Sequence, residues 1–130
     1  MNYRSKLFAI ALLLVLVSCH ESPYMQGKRL FEKKCANCHM EDGSGLSNLI
    51  PPIKNSTYLG KPGIVCVLYH GLQDTVWKDS TYLVKYMPSF KQLSATEYTN
   101  LINYINHQWY PSFEEIHLPA VEKALKECGQ

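Results

Sequence analysis

The sequence lacks the marks of nucleotide-driven chemistry. It has no Walker-type phosphate loop and no Gly-x-Gly-x-x-Gly turn of a dinucleotide site. No internal repeat is visible, which excludes solenoids and propellers. Charge of one sign is also missing. The 130 residues carry 13 Lys and Arg against 11 Asp and Glu, a formal +2. Two of those basic residues, Arg4 and Lys6, stand at the extreme N-terminus; 13 less 2 leaves 11, equal to the acidic count. A nucleic-acid binder would keep a basic excess, so no nucleic-acid partner is expected. Long hydrophobic runs are scarce. Leu7 to Val17 is an unbroken apolar run of 11 residues, too short to span a bilayer comfortably. Apolar residues still make up 46% of the chain, enough for the core of one ordinary domain and too many for global disorder.

The N-terminus has the parts of an export signal in order. Arg4 and Lys6 give a positive start, Leu7–Val17 the apolar segment, and Leu16-Val17-Ser18-Cys19 the end. That end resembles the bacterial lipobox, a small residue before an invariable cysteine. The resemblance implies diacylglycerol on the Cys19 sulfur and cleavage after Ser18. Residues 1–18 are then a lipoprotein signal peptide, and residues 19–23, with Pro23, a lipidated tether. Two or three acyl chains anchor stably where one does not. The expected location is the periplasmic face of a bacterial membrane. His20, in place of an Asp, leans towards the outer one.

Five cysteines remain to be sorted. Cys19 ends the leader. Cys35-Ala36-Asn37-Cys38-His39 spells Cys-x-x-Cys-His, the attachment pattern of a c-type haem. Two thiols one helical turn apart add to the two vinyl groups of one porphyrin, and the adjacent imidazole reaches the iron. Cys66 and Cys128 are left, an even pair in an exported chain. They are read as a disulfide, the default fate in an oxidising compartment; two buried free thiols are the alternative.

The surrounding residues resemble a class I cytochrome c. Gly27-Lys28-Arg29-Leu30-Phe31 before Cys35-x-x-Cys38-His39 looks like the opening of that family, with Gly and aromatic on a first helix, Met25 to Lys34. The resemblance implies that the missing side chain at Gly27 lets the last helix cross closely, with Tyr104 meeting Gly27 and Phe31. Met40 to Asn48 is polar and Gly-rich and reads as a loop. The family carries a proline after it whose carbonyl accepts the proximal His Nδ1–H and fixes the ring. Pro51 or Pro52 fills that place, and Leu49, Ile50 and Ile53 would line the haem. Ile64–His70 fits a strand as well as a helix by composition. The family pattern of a helix closed by Gly71 decides for helix. Thr75–Trp77 and Tyr82–Val84 read as a small hairpin turning at Lys78–Ser80.

Tyr86-Met87-Pro88-Ser89-Phe90 resembles the family's distal loop, in which a Met-Pro pair presents the second axial ligand. Pro88 holds Met87 extended and out of a helix. Met87 is therefore the expected ligand, with His70 and His107 as rivals; Met40, next to His39, is badly placed to reach the other face. Ser94-Ala95-Thr96-Glu97 is a capping box for a helix carrying Tyr98, Leu101, Ile102, Tyr104 and Ile105 on one stripe, ending near His107 to Trp109. The last residues, 111–130, extend past the family's usual end. Val121–Cys128 reads as a short amphipathic helix, unstable alone. A Cys66–Cys128 bridge would pin it, closing a loop of about 60 residues and contributing about 3–4 kcal/mol in the entropic account.

The expected fold is therefore all-α, a class I cytochrome c fold over residues 24–110 with about three to five short helices around one covalent haem c and a small hairpin near the distal loop. The expected function is electron transfer by Fe(II)/Fe(III) cycling with His39 and Met87 as axial ligands. Filled axial positions leave no substrate site, so a carrier is expected, not an enzyme. Its partner would be a redox protein: a respiratory oxidase, a reductase or a dehydrogenase. One alternative is a haem enzyme or a gas or redox sensor with an exchangeable distal site. The other, a zinc or dithiol redox protein built on Cys35 and Cys38, leaves His39 and the Met-Pro pair without a role.

Overall fold

The computed structural model of the chain describes residues 24–47, 49–78 and 81–129, with backbone alone at 76–78 and 81–83. Residues 1–23, where the signal peptide, the tether and the lipidated Cys19 are expected, lie outside the described residues, as do the Asp79-Ser80 tip of the hairpin turn and the side chain of Trp77.

Helix α1 (Met25–Lys34) crosses α4 (Ala95–Trp109) at the centre of the fold. The crossing is close because α1 carries Gly27 there. A Cβ at Gly27 would run into the Asn100 carbonyl and stand 2.6 Å from the Tyr104 Cβ. One turn on, Phe31 is fully buried, its ring 5.6 Å from that of Tyr104 and 5.2 Å from that of Trp109. Overpacking such a contact by one methyl costs about 1–3 kcal/mol. Helix α4 starts where the capping box places it. The Glu97 amide donates to Ser94 Oγ (3.3 Å) and the Ser94 amide to Glu97 Oε2 (2.8 Å). Tyr98, Leu101, Ile102 and Ile105 form its buried stripe.

Helix α2 (Ala36–His39) is a single turn that carries the Cys-x-x-Cys-His motif directly after α1. A loop and a 3-10 turn (Ile53–Asn55) lead to α3 (Ile64–His70). Its Ile64, Val65 and Leu68 point into the core, and Gly71 ends it at φ 74°. Strands β1 (Leu72–Lys78) and β2 (Thr81–Met87) then pair antiparallel, in register from Leu72 opposite Met87 to Lys78 opposite Thr81. The hairpin is longer than the β-branched and aromatic pattern predicts. Polar Gln73, Asp74 and Lys85 are carried into the ladder, Gln73 opposite Tyr86 and Asp74 opposite Lys85, because Gln73 and Asp74 stay exposed and Lys85 partly so. Met87 is thus the last residue of a strand, not a member of a free loop.

Helix α5 (Leu118–Cys128) begins three residues earlier than expected, with Pro119 in its first turn, where a missing amide hydrogen costs nothing. Val121, Ala124 and Cys128 bury one face in the same core as Phe31, Val65 and Leu101. Cys66 and Cys128 form a disulfide with Cα atoms 5.3 Å apart. Among the described residues no helix is long and apolar enough to cross a membrane.

Candidate haem-binding site

A cavity of about 520 Å³ opens between α2, the 49–59 segment, α3 and the base of the hairpin. Cys35, Cys38, His39 and Met87 all line it. Of the described histidines only His39 does so, and of the described methionines only Met87. The walls between them are apolar: Leu49, Ile50, Ile53, Leu59, Ile64, Leu68 and Phe90. Lys34, Asn55, Ser56, Thr57, Asp74 and Lys85 add polar side chains to the lining.

The two cysteines differ in setting. Cys35 is buried and Cys38 exposed. Burial pushes the Cys35 thiol up to about 12, the neighbouring Cys38 adds to the rise and Lys34 opposes it. Before any haem is attached, burial therefore favours the protonated form of the Cys35 thiol. His39 is half-buried, and burial lowers its pKa while a hydrogen bond to Pro51 partly restores it. The bond runs from Nδ1–H to the Pro51 carbonyl oxygen at 3.2 Å. Because Nδ1 carries the proton, the Nε2 lone pair is free to ligate. Of the two prolines, Pro51 makes this contact; Pro52 lines the cavity wall.

The loop that presents Pro51 needs a residue that sequence reasoning passed over. Gly45, at φ 70°, lies against Ile50 and Pro51, and a Cβ there would stand 2.9 Å from the Pro51 carbonyl carbon and oxygen. Its amide donates to the His39 carbonyl (3.0 Å). Gly45 thus ties the start of the loop to its end, and only glycine fits both the conformation and the space.

Met87 is fixed from three sides. Leu72 pairs with it across the hairpin. Gly71, also at positive φ, packs its backbone against Met87 and Pro88; a Cβ would collide with the Met87 carbonyl and stand 2.9 Å from the Pro88 carbonyl carbon. Beyond Pro88, the Phe90 amide donates to the Leu68 carbonyl (2.9 Å), and the buried Tyr98 hydroxyl donates to the Phe90 carbonyl (2.9 Å). Burial, with Tyr69 nearby, pushes the Tyr98 phenol up to about 12, so it stays a donor. Gly71 reads from sequence only as a helix stop, and Tyr98 only as a core aromatic.

The rival ligands are engaged elsewhere. His70 donates from Nε2 to the Cys128 carbonyl at 2.7 Å. His107 is exposed, 4.8 Å from the ring of Tyr24 and 5.6 Å from that of Phe113. Among the described residues no group of three or more His, Cys, Asp or Glu side chains is placed to hold a metal ion. The residues around the cavity do fit a haem. Two thiols and an imidazole stand on one wall, a thioether lines it as well, and an apolar lining with a few charged side chains suits a flat ring bearing carboxylates.

A family model for cytochrome c matches residues 24–109. The chain belongs to the cytochrome c family. Family membership implies covalently bound haem c. It is 30% identical over 89 residues to the cytochrome c subunit of a quinone alcohol dehydrogenase of Gluconacetobacter polyoxogenes, a match covering 64% of this chain and 18% of that one. It is also 30% identical over 82 residues to cytochrome c-552 of Thermus thermophilus, covering 58% of this chain and 63% of that one. The matched part is less than two thirds of either relative. The fold agrees with the family: five α-helices and one two-stranded antiparallel hairpin among the described residues.

Proposed function

We propose that this cytochrome carries single electrons between redox proteins, with one haem c held by Cys35 and Cys38 and ligated by His39 and Met87. The observation that carries the reading is the shared cavity, with one histidine and one methionine among the described residues lining it beside both motif cysteines. Haem c bound there supplies a one-electron Fe(II)/Fe(III) couple. Cys35 and Cys38 would hold the haem, each through a thioether made by adding its S–H across one vinyl double bond, sulfur to one carbon and hydrogen to the other. Pro51 holds the His39 ring with its Nε2 free. Met87 supplies a soft thioether, which favours Fe(II) and raises the potential relative to a second histidine. The apolar wall keeps water from the ring, and that burial raises the potential further.

The partner is proposed to be a respiratory oxidase, a reductase or a dehydrogenase. The relative that is a cytochrome subunit of an alcohol dehydrogenase favours an oxidoreductase. Residues 1–18 are proposed as a lipoprotein signal peptide and Cys19 as the lipidated residue, which would tether the domain to a bacterial membrane on its periplasmic side. Mass spectrometry of the native N-terminus checks that part: a diacylated or triacylated Cys19 is expected, and an unmodified terminus contradicts it.

The central test is spectroscopic. Full-length protein matured with haem c is expected to be low-spin and to show the weak long-wavelength band of a Met–Fe(III) bond. Met87→Ala is expected to abolish that band and lower the reduction potential by on the order of 0.1–0.3 V, part of the ~0.8 V that axial ligands span. A parent protein that is high-spin and binds cyanide or CO readily would instead favour an enzyme or sensor with an open distal site.

A further inference from the structure

Among the described residues none beyond 110 lines the cavity, yet the tail is locked to the elements that hold Met87. Asn103, buried on α4, clamps the start of the tail: Nδ2 donates to the Ile116 carbonyl and Oδ1 accepts from the Ile116 amide, both at 2.9 Å. Helix α5 then lays Val121 and Ala124 into the core beside α3. At its end Cys128 is bonded to Cys66 on α3, and its carbonyl accepts from His70 Nε2–H, one turn further along α3. Helix α3 has seven residues, too few to hold its shape alone. Its final turn makes both contacts to the distal segment, Leu68 with Phe90 and Gly71 with Met87 and Pro88.

We propose that the tail is a brace for the distal ligand: the Cys66–Cys128 disulfide and the His70–Cys128 hydrogen bond fix α3, and α3 in turn holds Met87 towards the haem. This rests on the reading of Met87 as an axial ligand. Cys66, Cys128 and His70 are positioning residues. Releasing them breaks no bond to the haem. It raises the fraction of molecules in which Met87 has swung away, because a short helix without its anchor opens more often. A small ligand that competes for the distal position measures that fraction, since its apparent affinity rises in proportion to the open population.

The test is an imidazole titration of the oxidised full-length holoprotein, read together with the Met–Fe(III) band and the reduction potential. Cys66→Ala/Cys128→Ala is expected to bind imidazole roughly tenfold more tightly, with a weaker band and a lower potential. His70→Ala keeps the bridge and is expected to move all three readouts the same way, with affinity up about threefold. It decides the matter if the double variant does not accumulate as holoprotein. Lys123→Ala/Glu127→Ala, on the exposed face of α5, is expected to leave all three unchanged. Met87→Ala separates two failures. If Met87→Ala abolishes the band while the bridge and His70 variants match the parent, the brace is wrong. If Met87→Ala changes neither band nor affinity, the ligand assignment is wrong and the brace falls with it.

Discussion

On the proposed proximal face the residues that set His39 are near neighbours in the chain. Its ring bonds to Pro51, 12 residues on, and Gly45 ties the intervening loop back to the His39 carbonyl. On the proposed distal face Met87 is held by Leu72 across a hairpin, by Gly71 and Leu68 at the end of α3, and by Tyr98 on α4 through Phe90. The first face closes one short loop. The second depends on four elements being correctly docked. Local closure costs little chain entropy and tolerates tertiary disturbance, whereas a ligand fixed by several long-range contacts moves when any of them loosens. With His39 and Met87 as the proposed axial ligands, His39 is therefore expected to be the constant of this cytochrome and Met87 its adjustable part.

The strongest way to break that comparison is to remove the attachment itself. Cys35→Ala/Cys38→Ala takes away both thiols on the proximal side. It is expected to eliminate covalent haem completely, seen as loss of haem staining after denaturing electrophoresis. Retained stain would mean that the motif does not attach the cofactor.

What was legible in the sequence follows the same division. Cys35, Cys38 and His39 announce themselves because their chemistry fixes their spacing, and Ser94 and Glu97 because a capping box is local. Gly27 and Phe31 were legible through the family's first helix, and the structure explains them by the contact with Tyr104. The choice between Pro51 and Pro52 was not legible, since both satisfy the pattern and only the path of the loop separates them. The hairpin ends at Leu72 and Met87 were missed because polar Gln73, Asp74 and Lys85 interrupt the β pattern, and backbone pairing overrides that preference. Asn103 and Asn106 were also missed. Both are buried, Asn103 bonding Ile116 and Asn106 Oδ1 accepting from the Gly60 amide at 3.0 Å. The available signal was their position: they are three residues apart and directly follow Ile102 and Ile105 of the buried stripe, where a polar side chain needs a partner.

A smaller perturbation sharpens the contrast between the faces. Gly45 and Gly71 are matched probes: both have φ near 70°, and each lies against the backbone beside one ligand's support. Alanine at either is expected to lower stability by about 1–3 kcal/mol, through the strained backbone and the crowding of a carbonyl. Chemical denaturation of each holoprotein measures that cost. Only Gly71→Ala is expected to weaken the Met–Fe(III) band, because only it presses on Met87 and Pro88. Equal spectral effects from both would show that the faces are not independent.

The smallest expected effect concerns the helix that both faces share. Helix α4 begins just after the distal segment and ends with Trp109 against Phe31 of α1. Ser94→Ala removes the acceptor for the Glu97 amide and is expected to cost about 1 kcal/mol, seen as a lower melting temperature. The loss should depend on pH. Hydrogen bonds from Ser94, its amide first and its hydroxyl second, hold the Glu97 carboxyl below its ordinary value of 4.5. A carboxyl whose pKa is depressed in the folded state stabilises that state above the unfolded pKa, and the stabilisation is lost as pH falls through the folded value. Ser94→Ala keeps the amide donor but loses the hydroxyl. Its melting temperature should therefore differ most from the parent near neutral pH, and the gap should narrow slightly in acid, below the unfolded carboxyl range. Glu97 is on the surface, so this acid-dependent part is screened and small beside the cap itself. A difference that stays constant down to strong acid would assign the whole effect to the lost amide acceptor and none to the carboxylate.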